Sequence, residues 1–160
     1  MTDAPHASPV ATATLPALPL TGGCQCGAVR YEIRAAPQVF YLCHCTECQR
    51  QTSSAFGESL RVDPATLAIT GEMATTRRVS DGGAVRLGDF CADCGVRIRH
   101  RSEGDPARVN IKAGTLDDTR CLVPAGHIWT DSRQSFVAIG ANELAYPRMP
   151  DDGFAALIAR

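Results

Sequence analysis

The 160-residue chain has no excess of charge of either sign and no long apolar run. Its 16 basic and 17 acidic residues leave a formal net charge of -1, so no broad electrostatic field draws in DNA, RNA or an anionic membrane. No stretch offers the roughly 20 consecutive apolar residues that a membrane-spanning helix needs. We therefore expect neither a nucleic-acid nor a membrane partner, and we expect a local site to select the ligand.

Lysine and aromatic residues are also scarce. Lys112 is the single lysine, so the other basic residues are arginines, whose side chains bind carboxylates through two hydrogen bonds. Aromatic residues make up 6% of the chain, which is few for a face on which bases would stack. The alternating Arg97, Arg99 and Arg101 are the one feature that suits a non-catalytic zinc module binding nucleic acid or protein.

Residues 1–19 contain little that would specify a fold or an export signal. They are rich in Ala, Pro and Thr, they have Asp3 where a secretory signal carries positive charge, and prolines interrupt them before an apolar run develops. We expect a disordered leader and a protein of the reducing cytoplasm. In that compartment thiols favour metal over disulfides.

From Gly22 onward, short segments of alternating polarity predict a mainly β domain. In AVRYEI the side chains of Val29, Tyr31 and Ile33 share one face, and VRIRHR (96–101) repeats the alternation. Weaker strand candidates, separated by Gly- and Asp-containing turns, are LAIT (67–70), AVRLGDF (84–90), RVNIKAG (108–114) and HIWT (127–130). We expect seven to nine short strands in a small barrel or sandwich-like domain.

Two short helices are expected as well. Residues 46–51 follow a cysteine cluster and could form one or two turns. The C-terminal DDGFAALIAR has Asp151 or Asp152 as a cap and Phe154, Leu157 and Ile158 on one side, which predicts a small amphipathic helix that packs on the β domain.

Eight cysteines stand out among the residues that are present. They form CxC, CxCxxC and CxxC motifs and one singleton: Cys24 and Cys26; Cys43, Cys45 and Cys48; Cys91 and Cys94; and Cys121. The CxC and the CxxC are each followed by a glycine, as in zinc knuckles. Two knuckles complete one four-thiol zinc site and leave a three-thiol cluster. Three protein ligands with an open fourth position are typical of a catalytic zinc.

The spacing leaves other arrangements open. The CxC could close on the central cluster and leave the last CxxC free, or both zincs could be structural, the second being completed by His44, His100, His127 or Cys121. A disulfide framework uses the same even count, although CxC bridges are strained. His44 in an extended segment would point away from the metal, whereas His127 shares a strand face with Trp129 and could line a pocket.

Four motifs, taken in order, carry a family resemblance. GCQCGAVRYEI, CHCTECQRQTSSAF, FCADCGVRI and PAGHIWTDS resemble the glutathione-dependent formaldehyde-activating enzyme family, which includes the centromere protein V relatives. The resemblance implies a β-tent fold of mostly antiparallel strands. It implies a structural zinc on Cys24, Cys26, Cys91 and Cys94 and a catalytic zinc on Cys43, Cys45 and Cys48. Ser53-Ser54 stands where a glycine is common in the family.

The resemblance also sets the expected domain limits and activity. Residues 20–137 would form the zinc-binding β domain, and residues 138–160 would form an extension whose short helix packs on the same domain. The implied activity is that of a carbon–sulfur lyase, which condenses formaldehyde with glutathione to S-hydroxymethylglutathione or cleaves that adduct. The oligomeric state is not predicted.

The expected chemistry begins with a thiol substrate. Three thiolates make zinc a modest Lewis acid that holds a fourth thiolate better than it forms hydroxide, so the glutathione sulfur would take the open position with a lowered pKa and add to formaldehyde. His44, His127 or Ser54 would protonate the new alkoxide, and Arg50 would bind the substrate. A lyase or thiol-transfer enzyme for another thiol adduct, and a glutathione or metal carrier without turnover, remain alternatives.

Overall fold

Eleven β-strands and two short α-helices make up the part of the chain that the computed structural model describes, residues 17–80 and 83–159. The strands are β1 (Leu20–Gly23), β2 (Arg30–Ile33), β3 (Val39–Cys43), β4 (Gly57–Val62), β5 (Leu67–Thr70), β6 (Met73–Val79), β7 (Val85–Cys91), β8 (Arg97–Ser102), β9 (Asp105–Ile111), β10 (Gly126–Ile128) and β11 (Leu144–Tyr146). The helices are α1 (Thr46–Thr52) and α2 (Ala155–Ile158). The prediction of a mainly β fold is confirmed. Most of the predicted leader, residues 1–16, lies outside the described residues.

The described strands outnumber the seven to nine expected. Two of the strands that the sequence did not predict are β4 and β1. β4 is buried at nearly every position, including Ser59 and Arg61, so it lacks the alternation of polarity that marks a half-exposed strand. β1 has the sequence LTGG, and glycine has a low strand propensity. Among the described helices, none is both long and apolar enough to cross a membrane.

The strands form two sheets. The smaller sheet has the order β1-β2-β5, and the larger has the order β11-β10-β3-β4-β9-β8-β7-β6. Neighbouring strands are antiparallel except where β10 runs parallel to β3 and to β11. This order brings the end of β3 next to the start of β4, with Cys43 opposite Gly57, and it places β9 on the other side of β4.

The main core lies between the two sheets. The predicted apolar face, which consists of side chains of β2 and of the residue before it, is buried. The large sheet contributes apolar side chains from β8 and β9. The residues that carry this contact are Val29, Tyr31 and Ile33 from the small sheet and Ile98, Val109 and Ile111 from the large one. Burying a side chain of this size contributes about 1.5–3 kcal/mol, so the core holds one sheet over the other.

A buried carboxylate joins three strands of the large sheet. The Asp89 side chain on β7 accepts hydrogen bonds from Thr75 Oγ1 at 2.8 Å, Arg99 Nε at 2.6 Å and Arg101 Nε at 3.0 Å. Two of the three alternating arginines of β8 therefore share this one carboxylate within the sheet. This pairing weakens the one sequence feature that suggested a nucleic-acid or protein-binding module.

The C-terminal helix packs on β3. Phe154 and Leu157 are buried in a second core with residues of β3 and β10, and the Phe154 ring centroid lies 4.9 Å from that of Tyr41. The Asp152 carboxylate caps the segment, because it accepts hydrogen bonds from the backbone N–H of Phe154 at 3.0 Å and of Ala156 at 2.9 Å. Ile158, expected on the buried side, is exposed instead.

Replacing Phe154 by Ala should destabilise the fold by about 3–5 kcal/mol, because its ring is 2% exposed and large-to-small substitution leaves a cavity. Urea unfolding measures this change. The control is Ile158→Ala, whose side chain is in the same helix but 48% exposed and should change the free energy of unfolding by about 0.5 kcal/mol or less. Similar small effects for both variants would contradict the packing of α2 on β3.

Asp89→Asn should remove stability that the protein has at neutral pH. Burial acts to raise the pKa of Asp89, but hydrogen bonds from Arg101 and Arg99 outweigh it and lower the pKa below its ordinary value. A carboxyl group with a lowered folded-state pKa stabilises the protein above its unfolded pKa of about 3.9, and this contribution is lost as the pH falls through the folded pKa. Breaking a buried ion pair costs about 3–5 kcal/mol.

Urea unfolding of the wild type and Asp89→Asn between pH 7 and pH 3 tests this expectation. The difference in unfolding free energy should be largest at pH 7 and shrink in acid. Asp131→Asn is the control, because its carboxylate is 60% exposed and lies 3.7 Å from Arg148, where an ion pair contributes little. A difference for Asp89→Asn that stays constant across the range would contradict the assigned role of the ionised carboxylate.

Candidate metal and substrate site

The first group of thiols joins the two sheets. Cys24 and Cys26 follow β1 of the small sheet, Cys91 ends β7 of the large sheet, and Cys94 lies in the turn after it. Their four sulfurs lie within 4.8 Å of one another, with Cys24 Sγ 3.4 Å from Cys26 Sγ and Cys26 Sγ 3.7 Å from Cys91 Sγ. Tetrahedral zinc with bonds of about 2.3 Å separates its sulfur ligands by roughly 3.8 Å. The donor set and its spacing therefore fit zinc.

These sulfurs are not paired as disulfides. All eight cysteines are free, and disulfide sulfurs would be about 2.05 Å apart. The local backbone has the form expected of two knuckles, because Gly27 and Gly95 adopt φ values of +83° and +75°, which glycine allows at little cost. The backbone N–H of Val29 lies 3.2 Å from Cys24 Sγ. Such donors favour the thiolate, the form in which cysteine binds metal.

The second group is formed by the central cluster. Cys43 is the last residue of β3, Cys45 is the N-cap of α1, and Cys48 lies in the first turn of that helix. Their three sulfurs lie within 4.8 Å of one another, and within the described residues no histidine or carboxylate joins them. Hydrogen bonds from the side chains of Cys43 and then Cys48 lower the pKa of Cys45. The group therefore offers three soft ligands and suits a metal with a further coordination position.

Helix α1 ends in a left-handed backbone conformation at Ser53. Ser53, the C-cap, has φ 51° and ψ 35°, and its backbone N–H donates to the carbonyl of Gln49. This left-handed conformation is uncommon for residues other than glycine, asparagine and aspartate. Here a serine adopts it. The neighbouring Ser54 is exposed. A cavity opens beside the three thiols, and Ser54 is not among the residues that line it.

His44 and His127 form a buried pair outside that cavity. His44 Nε2 lies 2.8 Å from His127 Nδ1 and the rings are stacked, while His127 Nε2 is 3.2 Å from a carboxylate oxygen of Glu143. Burial lowers the pKa of His44 to about 4. The His44 carbonyl accepts hydrogen bonds from Gln49 Nε2 and Ser132 Oγ at 2.7 and 3.0 Å. Neither histidine lines the cavity, so the pair contacts the cluster through its backbone segment.

A cavity of about 860 Å³ opens beside the three thiols. In the described part of the chain it is lined by seven arginines and Lys112, against two acidic residues, Glu47 and Asp131. Arg50 is one of these arginines, but its side chain is 78% exposed and lies 3.2 Å from Glu47, so it is at the rim. His100 and Trp129 also line the cavity, and burial lowers the pKa of His100 well below its ordinary value.

Two of the lining arginines have no acidic partner among the described residues, Arg86 and Arg97; the other five lie within 4.0 Å of a carboxylate. The Arg97 guanidinium lies directly over Gly88, where a Cβ would collide with its Nη1 and Cζ atoms. Its Nη2 donates to Thr76 Oγ1 at 3.1 Å. Gly88, in the middle of β7, thus leaves room for a positioned guanidinium that has no carboxylate within 4.0 Å among the described residues.

Lys112 is the site residue that sequence reasoning missed. It follows β9, is 6% exposed, and lines the cavity together with the three thiols. Its Nζ has no hydrogen-bond partner in the described residues. Burial lowers its pKa, an effect that the nearby Cys48 and Cys43 sulfurs oppose. The sequence offered one signal, a lone lysine at the end of an apolar strand.

Comparisons with known proteins agree with this geometry. The chain is 27% identical over 150 residues to a Halomonas elongata protein described as "Putative glutathione-dependent formaldehyde-activating enzyme", with 88% of this chain and 95% of that protein covered. The crystal structure of a Rhodobacter sphaeroides protein matches with a TM-score of 0.50 and 16% identity, over 79% of this chain and 99% of that one; it supports the fold alone. The model of the glutathione-dependent formaldehyde-activating enzyme family matches residues 19–132. Because that match covers most of the chain, this protein belongs to the glutathione-dependent formaldehyde-activating enzyme family.

Proposed function

We propose that the protein is a zinc-dependent carbon–sulfur lyase that reversibly joins glutathione and formaldehyde at Cys43, Cys45 and Cys48. The observation that carries this proposal is a three-sulfur group, without histidine or carboxylate among the described residues, that opens into a cavity whose charged lining residues are mostly cations. Three soft ligands suit a metal centre that takes a thiol. Membership of the family supports the reaction type.

Both thiol groups fit zinc, and we assign one to each role. Cys24, Cys26, Cys91 and Cys94 would hold a structural zinc, because four ligands close the coordination shell. Cys43, Cys45 and Cys48 would hold the second. When bound there, zinc supplies positive charge that lowers the pKa of a coordinated thiol.

The chain's own side chains bind and orient the substrate. Glutathione has two carboxylates, and Arg86 and Arg97 are the cavity arginines without a carboxylate within 4.0 Å among the described residues. Charge-assisted hydrogen bonds from these arginines would bind the carboxylates. Arg50, at the rim, would assist entry. His44 and His127 act as positioning residues, because the His44 carbonyl is held by Gln49 and Ser132 and its neighbours are two of the thiols.

The reaction balances without any further reagent. The glutathione thiol gives its proton to water, and the thiolate sulfur forms a bond to the formaldehyde carbon while the π electron pair of the carbonyl moves to its oxygen. The resulting alkoxide takes a proton from water and gives the hydroxymethyl adduct. In the reverse direction the hydroxyl loses that proton, the carbon–oxygen double bond reforms and the carbon–sulfur bond breaks.

Zinc analysis separates the two thiol groups. Protein purified without oxygen and with sufficient metal should contain about two zincs per chain, and Cys45→Ser should contain about one while keeping its fold. Cys91→Ser should not fold, because structural zinc binding is part of the folding free energy. Cys121→Ser is the control, since Cys121 belongs to neither group, and it should retain both zincs. A single zinc in the metal-replete wild type would contradict the assignment.

An exchange experiment tests the activity. NMR exchange spectroscopy follows the interconversion of free glutathione and its hydroxymethyl adduct at several enzyme concentrations. We expect the exchange rate to rise in proportion to the wild-type enzyme and to remain at its spontaneous value with Cys45→Ser. Exchange that stays at the spontaneous rate with zinc-loaded wild type would exclude this lyase activity and leave another thiol adduct, or a carrier role.

A further inference from the structure

The proposed chemistry gives no role to the amine of Lys112, a buried group of the cavity. The residue is 6% exposed, and its Nζ meets no acceptor in the part of the chain that the structure describes. A buried donor without a partner costs about 1–3 kcal/mol, and more when it is charged. Since a folded chain usually satisfies such groups, an unmet donor that lines a cavity points to a ligand acceptor.

The sheet register brings this amine to the reacting end of the cavity. β4 lies between β3, which ends at Cys43, and β9, which precedes Lys112. A Cβ added to Gly57, the residue opposite Cys43, would lie 3.2 Å from Cys48 Sγ and 3.5 Å from Lys112 Nζ. The sulfur and the amine therefore flank one point. Glycine at this position leaves room for their approach.

The number of bonds between the substrate's sulfur and each of its oxygen acceptors indicates which acceptor Lys112 Nζ can reach. The carboxylates of glutathione are many bonds from its sulfur, so a sulfur at the three-thiol group does not by itself bring them to a donor beside the thiols. The oxygen on the carbon that bonds to sulfur is two bonds from that sulfur. It is an acceptor in the aldehyde, in the alkoxide and in the hydroxymethyl product.

We propose that Lys112 Nζ donates a hydrogen bond to this oxygen and so determines recognition of the carbonyl partner. The inference rests on the proposed function. As the carbon–sulfur bond forms and the π electron pair moves to the oxygen, Nζ stabilises the charge that develops there. The alkoxide then takes its proton from water. In the reverse direction Nζ holds the oxygen while the carbon–sulfur bond breaks.

The binding test uses two ligands that differ by one oxygen. Calorimetric titration of the zinc-loaded wild type should show S-hydroxymethylglutathione binding about tenfold more tightly than S-methylglutathione, as expected for one hydrogen bond from a charged donor. Lys112→Met removes the donor at similar length and should bind the two ligands equally. Lys112→Gln retains an N–H donor and should keep part of the preference.

Matched controls separate this role from a general effect of charge. Arg97→Met should weaken both ligands by the same factor, because its guanidinium is assigned to a carboxylate that both ligands carry. Lys112→Met should retain two zincs per chain and the wild-type circular dichroism spectrum. In the exchange assay it should be about 100-fold slower than wild type, the usual effect of removing a donor to a developing oxyanion.

The outcomes distinguish the inference from the proposed function. A Lys112→Met variant that still prefers the hydroxymethyl ligand would overturn the inference. A Lys112→Met variant that loses its second zinc would also overturn it, and would show that Lys112 acts as a counter-ion of the thiolates. Should Lys112→Met fail to fold, a full tenfold preference in Lys112→Gln would overturn it equally. A lysine-dependent preference in a wild type that does not accelerate exchange would support oxygen recognition while excluding the lyase activity.

Discussion

The convergence of four sulfurs between the two sheets is the constraint on which the rest of the structure depends. Cys24 and Cys26 come from the small sheet and Cys91 and Cys94 from the large one, and all four sulfurs lie within 4.8 Å of one another. Thiolates at this separation would repel one another without a metal, so the zinc proposed for this group would contribute to the folding free energy. The contact closes the sheets over their shared apolar core. That core in turn fixes the strand order that builds the cavity.

The same sheet order explains why the second thiol group has three ligands. The end of β3 and the first turn of α1 supply all its sulfurs within a six-residue segment. The strand next to it contributes Gly57, which brings no ligand, and His127 of β10 contacts the ring of His44 instead of a thiol. One side of the three-thiol group is therefore covered by protein, and its other side is open to the cavity.

The sequence could predict what depends on neighbours in the chain. Cysteine spacing favoured a grouping of the thiols as four and three while leaving other arrangements open, and alternation in AVRYEI identified the buried face of β2. Contacts that depend on strand register could not be predicted this way. Lys112 meets the thiols because β9 pairs with β4, and Arg97 lies over Gly88 because β8 pairs with β7. Arg50, adjacent in sequence to the cluster, was the natural choice for a substrate contact, yet the structure places it at the rim, paired to Glu47.

Charge balance connects these contacts to the proposed substrate. Zinc with three thiolates carries about one net negative charge, and glutathione bound as a thiolate adds about two more, because its ammonium offsets one of its two carboxylates. Three cationic side chains of the cavity, Arg86, Arg97 and Lys112, have no carboxylate within 4.0 Å among the described residues. Unpaired charge in a partly buried site is costly, and an anionic ligand offsets that cost. The cavity is therefore electrostatically complementary to the loaded thiolate, although the whole chain is close to neutral.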